Sequence, residues 1–550
     1  MNNKEIAKLF SELADLMELQ NENPFKIKSY RNAHVSLRKI DTPLNTLSQT
    51  EMEVLPGVGK AIAEKITQIV STGKMPTLEK YRAIVPEGVR EMLKVHGLGP
   101  KKIDVIWRKL GIESPGELLY ACDENRLVEL PGFGTKTQED VKSKLAFYFN
   151  ASGKYLYPKV SETLQTILDE LNEKYPRLNI QFTGELRRKC QIIEKIELVC
   201  NDVPDLLNIL AQLGDVAENY EGNLILSRED FDEIIIIPAS EDSFGTVLFE
   251  TTGPSEFVEK FRSHYQVPKN IADESAVFEA AQLDYFPPVL RDNDFEVDNF
   301  LKDKKSIQLI EYKDIKGIVH NHSTWSDGIH TLHEMSEHVK SNGFEYFVIS
   351  DHSKSAFYAN GLSEERVRAQ WNEIESLNKD YIDFKIYKSI ESDILSDGSL
   401  DYPDEVLAGF DLVIASVHSN LNMDIDKAMK RLIAAVENPF TRILGHPTGR
   451  LLLARKGYPV DHARLIDACA ANNVAIELNA NPLRLDIDWS WIPYAMQKSV
   501  LIAINPDAHN KSGIFDIRFG INAAQKGGLT ADACLNSMSR SRFEHWLHNK

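Results

Sequence analysis

The chain has 550 residues, 43% hydrophobic and 26% charged, and a formal net charge of −19. That length exceeds what one hydrophobic core holds and predicts three or four domains of ordinary soluble type, which excludes a disordered or fibrous chain. The acidic balance disfavours coating a polyanion with the whole surface, no window approaches the ~18 apolar residues of a membrane span, and five scattered cysteines point to a reducing cytoplasm without disulfides or a cysteine-zinc site.

The first residues, "MNNKEIAKLFSELADLMELQ", predict an amphipathic helix carrying acids, not a signal peptide. Residues 1–150 are close to neutral and slightly basic, so the remainder carries nearly all the negative charge. Nucleic acid, if bound, is therefore expected at the N-terminal third. That third contains a repeat: "LPGVGKAIAEKI" (Leu55–Ile66), "VHGLGPKKIDVI" (Val95–Ile106) and "LPGFGTKTQEDV" (Leu130–Val141). Each places Gly-x-Gly before a helix: Gly57 and Gly59, Gly97 and Gly99, Gly132 and Gly134. The glycines allow a tight turn and a close backbone approach. The helix that follows offers free N–H groups to an anion, and Lys60, Lys101, Lys102 and Lys136 would stand beside a phosphate. Contacts of this kind position a nucleic-acid backbone without reading bases. A single copy serves equally as helix packing; three copies favour the binding role. They resemble helix-hairpin-helix motifs, which bind DNA without sequence preference, and "NPFKIKSYRNA" (Asn23–Ala33) adds alternating basic and apolar residues.

Beyond residue 155 a periodic helix, Ser161–Tyr175, leads to the strand "LNIQFTG", the stretch "FTGELRRKCQIIEKIELVC" (Phe182–Cys200) and the strand "FDEIIIIPA" (Phe231–Ala239). With the hairpins before it and "SFGTVLFETTGPSEF" (Ser243–Phe257) after it, this order resembles the palm of the family X DNA polymerases, the group of DNA polymerase beta, over residues 1 to about 300. The departures are specific. The family's palm opens with Gly-Ser, and here it is Gly184-Glu185; its Asp-x-Asp falls on Lys195 and Glu197, and its third Asp on Glu233. Nucleotidyl transfer clamps two cations between carboxylates. An ammonium at Lys195 repels them, and each Asp→Glu change displaces an oxygen by about 1 Å where reactive geometry tolerates about half that. The expectation is a palm kept mainly as scaffold, with polymerisation lost. Arg187 and Arg188 fit the family pattern and are expected to hold a phosphate, with solvated surface as the alternative. The resemblance also carries a lyase lysine onto Lys65, in "AEKI".

From Lys316 onward short apolar strands alternate with helical segments, which predicts parallel pairing and a barrel. Strand ends in such barrels gather at one face, where chemistry sits. Those ends carry His320, His322, His352, Glu391, His418, His446, Asp507 and His509, with Asp327 in the loop after the first strand. Imidazoles and carboxylates without thiolates suit Zn, Mn or Fe. His320 and His322 alternate along a strand in this scheme and would share one metal, and Asp507 and His509 do the same.

The pattern resembles the PHP (polymerase and histidinol phosphatase) phosphoesterases, a distorted barrel holding three metals. "HPTGRLL" (His446–Leu452), "ELNANPLRLD" (Glu477–Asp486) and "PDAH" (Pro506–His509) are similar to the PHP domain of bacterial family X polymerases. The resemblance implies one metal on His320, His322, Glu391 and Asp507, a second on Glu391, His418 and His446, and a third on Asp327, His352 and His509, all divalent, with Mn or Zn expected and Fe as a further candidate. Clustered cations lower the pKa of a water and neutralise a phosphodiester. Arg450 and Arg484 are candidates to bind the scissile or a neighbouring phosphate, with ordinary salt bridges as the alternative.

The expected architecture is thus multidomain: an α-helical helix-hairpin-helix domain over 1–80, a fingers-like one over 81–150, an α+β polymerase beta-like palm and thumb over 151–300 with a degenerate active site, and an α/β PHP distorted barrel over 310–550. The expected function is a metal-dependent 3′–5′ exonuclease of DNA repair, a cytoplasmic monomer acting on gapped, nicked or 3′-ended DNA. A gap-filling polymerase with an editing domain and a small-molecule phosphatase are the alternatives.

Overall fold

The computed structural model describes all residues except 41, 96, 129, 151–152, 220–221 and 549–550. The chain divides into two units, Met1–Tyr148 and Phe149–Lys550. The boundary expected at 150/151 touches residue 151, and the second hairpin contains residue 96; both lie outside the described residues.

The first unit is helical, and its three hairpins share one local geometry. In each, the first glycine takes a left-handed φ, +77° at Gly57, +82° at Gly97 and +83° at Gly132, which other residues adopt only with strain. The residue between the glycines closes the turn: Val58 N–H donates to Leu55 O, Leu98 to Val95 O and Phe133 to Leu130 O, at 3.0, 3.1 and 2.9 Å. Helices then run from Lys60 to Thr72, Pro100 to Leu110 and Thr135 to Asn150. The second glycines have open space where a Cβ would stand, so the backbone there faces outward. Lys60, Lys101 and Lys136 are exposed and Lys102 is half-buried.

Among the described residues the second unit contains two large sheets and a two-stranded pair of 155–156 with 192–193. A five-stranded sheet has the order 180–182, 197–201, 234–239, 224–227, 215–218, with 197–201 and 234–239 parallel and the other pairs antiparallel. Tyr157–Lys174 packs its Val160, Leu164, Leu168 and Leu171 against this sheet, as the helical period predicts. An aromatic cluster of Phe249, Phe257, Phe261, Phe278 and Phe286 follows, and the buried Arg291 lies against the rings of Phe249, Phe257 and Phe278.

The other large sheet is parallel, with seven strands in sequence order: 317–318, 346–349, 385–393, 412–416, 441–444, 475–479 and 502–505. A parallel bridge between Asn321 and Ala508 brings its two ends together, so the barrel is nearly closed. Both faces are apolar, as parallel strands under helices require. Phe347 and Ile349 join the outer core under the helices, while Tyr346 and Val348 point inward. The C-terminal helix Arg540–His548 fills the bottom of the interior. Its Phe543 stacks on Tyr346 at 4.5 Å between ring centroids, and Arg442 donates to the Trp546 carbonyl. With the strand N-terminal end plugged by hydrocarbon, polar chemistry is confined to the opposite rim.

Candidate metal centre

All nine histidines and acids predicted at the strand ends converge on that rim. Seven are buried; Asp327 and His418 are the two with intermediate exposure. Glu391, on strand 385–393, is the hub. Its carboxylate lies 2.8 Å from His446 Nε2, 2.9 Å from His352 Nδ1, 3.0 Å from His418 Nε2 and 3.3 Å from His320 Nε2. Asp507 Oδ1 lies 3.0 Å from His322 Nε2 and 3.7 Å from His320 Nε2. Asp327 lies 3.5 Å from both His352 Nε2 and His509 Nε2 and 3.8 Å from His322 Nδ1.

The ligand-type atoms fall into three groups compact enough to share a cation: His322, Asp327, His352 and His509; His320, His322 and Glu391; His352, Glu391 and His418. Among the described residues all such groups lie in the barrel. His322 enters two of them, and its ring stacks on His509 at 4.2 Å, so it stands between centres that the sequence pattern kept apart.

The donor set fits metal ions. His320 Nε2, His322 Nδ1, both nitrogens of His352, Asp327 Oδ2 and Glu391 Oε2 are buried without a hydrogen-bond partner, a costly state for polar atoms unless a cation is their partner. The electrostatics agree. Burial would raise the Glu391 carboxyl, yet the imidazoles of His418, His320 and His352 hold it well below the ordinary value. Burial likewise opposes charge on Asp507, and His320 and His322 pull it down. Burial disfavours protonated His320 and His418, but Glu477, Glu391 and Asp507 raise the first and Glu391 the second. His322 is lowered by burial and by His509 and His352. The site is thus built to keep carboxylates ionised in the dark of the protein, where positive charge must meet them.

Two further acids fix ring orientations. Glu477 accepts from His320 Nδ1 at 2.6 Å and is itself held by Asn479 and Asn505. Asp393 faces His418 Nδ1 at 2.6 Å. Each leaves Nε2 as the atom aimed at Glu391, the usual way a carboxylate sets a ligand histidine. Sequence reasoning missed both. Their signal was alternation, since Asp393 follows Glu391 by two on one strand and Glu477 precedes Asn479 by two.

The geometric reason given for the paired histidines does not hold. The first strand ends at Ile318, and His320 adopts a left-handed φ of +62°. His320 and His322 meet through this turn and the bridge at Asn321, not through strand alternation. His446 and Asp507 also have positive φ, +22° and +52°. Three of the nine thus sit in backbone that costs about 1–3 kcal/mol each, a pattern found where function sets the geometry.

The arginines divide. Arg484 is buried, with Nε 3.9 Å from Asp507 Oδ2 at the edge of the centre. Arg450 instead ties down its own loop: it pairs with Asp488 at 2.6 Å and donates to the Arg484 and Leu485 carbonyls. Its guanidinium finds three acceptors within the 484–488 turn and a fourth at Gln191 Oε1, 3.3 Å away.

On the palm the acids do not converge. Glu185 bends back to accept from the backbone N–H groups of Glu194 and Lys195 at 2.7 and 3.1 Å. Glu197 begins its strand half-buried, its carboxyl raised by burial against the pull of Lys195. A Cβ on Gly184 would meet its Oε2 at 2.2 Å. Glu233 is exposed beyond the neighbouring strand. Arg187 forms a fork with Glu274 at 2.9 and 2.8 Å, and Arg188 binds Asp292 at 2.9 and 3.1 Å. Both are paired with internal carboxylates from later in the chain. Lys65, half-buried, lies 5.9 Å from the centre of the Tyr30 ring. No described helix is long and apolar enough to cross a membrane.

Residues 1–75 match the family model "Helix-hairpin-helix domain", and residues 89–146 match "SAM-like Helix-hairpin-helix tandem". A "DNA polymerase/3'-5' exonuclease PolX" of Bacillus subtilis is 34% identical over 571 aligned positions, covering 100% of this chain and 99% of that protein. A probable phosphatase of Thermoanaerobacter is 28% identical over 163 residues, 28% of this chain and 64% of its own length. DNA polymerase lambda of Arabidopsis thaliana is 26% identical over 189 residues, 34% of this chain and 32% of its own. With the Bacillus relative matched end to end and the barrel rim built as described, the chain belongs to the family X DNA polymerases that carry a C-terminal PHP domain.

Proposed function

We propose that the chain is a DNA-binding, metal-dependent phosphodiesterase that shortens strands from the 3′ end through the barrel centre. The observation that carries this is the convergence of nine buried or nearly buried ligand-type residues on one rim, with five imidazoles within 3.8 Å of the Glu391 carboxylate. The name of the Bacillus relative, which includes a 3′–5′ exonuclease, and the phosphatase relatives support the same chemistry.

The residues would hold three divalent cations, Mn or Zn first. His320, His322, Glu391 and Asp507 serve the first, Glu391, His418 and His446 the second, and Asp327, His352 and His509 the third, with His322 placed to touch the third as well. Bound there, the cations supply an acidified water and neutralise the phosphodiester. The protein supplies the rest. Glu477 and Asp393 hold the His320 and His418 rings by their Nδ1 atoms. Arg484 offers its guanidinium beside Asp507 to a phosphate oxygen, and the apolar plug keeps bulk water off the inner side.

The hairpins of 1–80 and 81–150 give DNA binding through outward backbone N–H groups and Lys60, Lys101, Lys102 and Lys136. The part spanning 151–300 acts as scaffold. The Glu185 carboxylate occupies the turn beside Lys195, and the three palm positions do not form a cation site, which weighs against a gap-filling polymerase as the second reading despite the relatives' names.

Purified protein with Mn²⁺ and a 5′-labelled, 3′-ended DNA strand tests the proposal. Progressive shortening is expected, and it is lost in His418→Ala. No shortening, or equal shortening by that variant, overturns it. Extension with dNTPs on a gapped template that depends on Glu197 and Glu233 would restore the polymerase reading.

A further inference from the structure

We infer that Phe357 is a stacking platform for the terminal nucleobase of the strand presented to the barrel centre. The inference rests on the phosphodiesterase reading above and names how that site grips its substrate.

Phe357 is 86% exposed. An aromatic ring of that size is ordinarily covered. It cannot be dismissed as a floppy tip, because its loop is held at many points. Leu362 N–H donates to His352 O at 2.9 Å, Gly361 N–H to Ala356 O at 3.0 Å and Ser353 N–H to Glu391 O at 3.1 Å. Ser355 donates to Asp401 from both its N–H, at 2.6 Å, and its hydroxyl. Ala356 and Ala359 on either side of the ring's turn are buried. The fold therefore fixes the backbone of Phe357 and presents its ring to solvent.

The position is the second observation. The loop runs directly from His352 and is bonded to the backbone of Glu391, two of the residues at the metal centre. The next residue, Tyr358, packs on His352 with 6.3 Å between ring centroids. His418 and Asp327 are the two site residues with some exposure, so the mouth opens on this side. A strand whose last phosphodiester lies at Glu391 and His418 carries its terminal base one sugar away, within reach of this rim. Every base has a π face, so stacking there grips any sequence, as an exonuclease needs. A paired terminal base is already stacked on its neighbour, so the same platform favours frayed or unpaired ends.

The experiment has two arms. In the first, Phe357→Ala, Phe357→Trp and wild type are compared with Mn²⁺ on single strands whose 3′ residue is either a nucleotide or an abasic tetrahydrofuran. Wild type prefers the base-bearing end by about 10- to 100-fold in kcat/KM, chiefly through KM. In Phe357→Ala this preference collapses to within about twofold, and in Phe357→Trp it is kept. An unchanged preference in Phe357→Ala overturns the inference, as does an equal loss on both ends. In the second arm the strand ends in 2-aminopurine behind a phosphorothioate linkage that slows cleavage. Its fluorescence is quenched by wild type and not by Phe357→Ala, and a probe ten nucleotides inside is unaffected. Quenching that does not depend on Phe357 overturns the inference. Quenching that does, with no shortening of any DNA by wild type, retains the base site and overturns the exonuclease reading instead.

Discussion

The palm and the barrel each place acids at the ends of parallel strands, and only one of them gathers the acids together. In the barrel, Glu391 lies within 3.3 Å of four imidazoles, and Glu477 and Asp393 behind them fix the rings. In the palm, Glu197 starts one strand and Glu233 stands just before the adjacent one, while Glu185 spends its carboxylate on the backbone amides of Glu194 and Lys195. The lesson is that acidic residues near one another do not make a metal centre. Convergence does, together with groups behind the ligands that leave each lone pair no other use.

That contrast can be broken from the barrel side first. Replacing Glu391 with Gln removes the carboxylate shared by the groups. Strand shortening is expected to fall by at least about 10³-fold, with the bound-metal content measured by elemental analysis falling in parallel. Full metal content with unchanged rate would mean the hub is elsewhere. Asp393→Asn is milder: it keeps the shape and weakens the hold on His418 Nδ1. A loss of about 10- to 100-fold in metal affinity or rate is expected, restored in part by excess Mn²⁺.

The palm side responds differently, because its charges stabilise rather than react. Burial pushes the Glu274 carboxyl up, but Arg291 and Arg187 more than reverse this and hold it at about 2. Its folded value lies below its unfolded one, so its stabilising effect is complete above the ordinary glutamate range, near 4.5, and is lost as pH falls toward 2. Acid unfolding followed by circular dichroism should show this step in wild type and not in Glu274→Gln, which is also less stable at pH 7 because it leaves two guanidiniums short of an anion. The smallest effect is expected at the palm positions 195 and 197. Glu197→Gln with Lys195→Ala should change strand shortening by less than about twofold, and a large loss would give the palm a part in hydrolysis.

Much of this was legible in the sequence, and the failures have physical causes. The repeated Gly-x-Gly was readable because a tight turn demands the same residue each time, and Gly57, Gly97 and Gly132 do share the left-handed conformation. The nine ligand-type residues were readable because strand ends repeat. The route by which His320 and His322 meet was not, since a left-handed histidine leaves no mark in a pattern of alternation. Nor could the sequence tell Arg187 and Arg188 from phosphate-binding residues: their partners, Glu274 and Asp292, lie about ninety to a hundred residues downstream, and an ion pair that distant has no local signature. Phe357 is the same problem inverted. A phenylalanine between Ala356 and Tyr358 reads as core, and only the folded loop shows that it is left exposed.

The plug at the barrel's other end has a consequence for traffic. With Phe543, Trp546 and Tyr346 closing the floor, the centre lies at the opposite, open rim. In the proposed reaction, whatever is clipped off would leave by the rim at which the strand enters, so the pace of degradation is expected to follow the departure of the released nucleotide as much as the cutting itself.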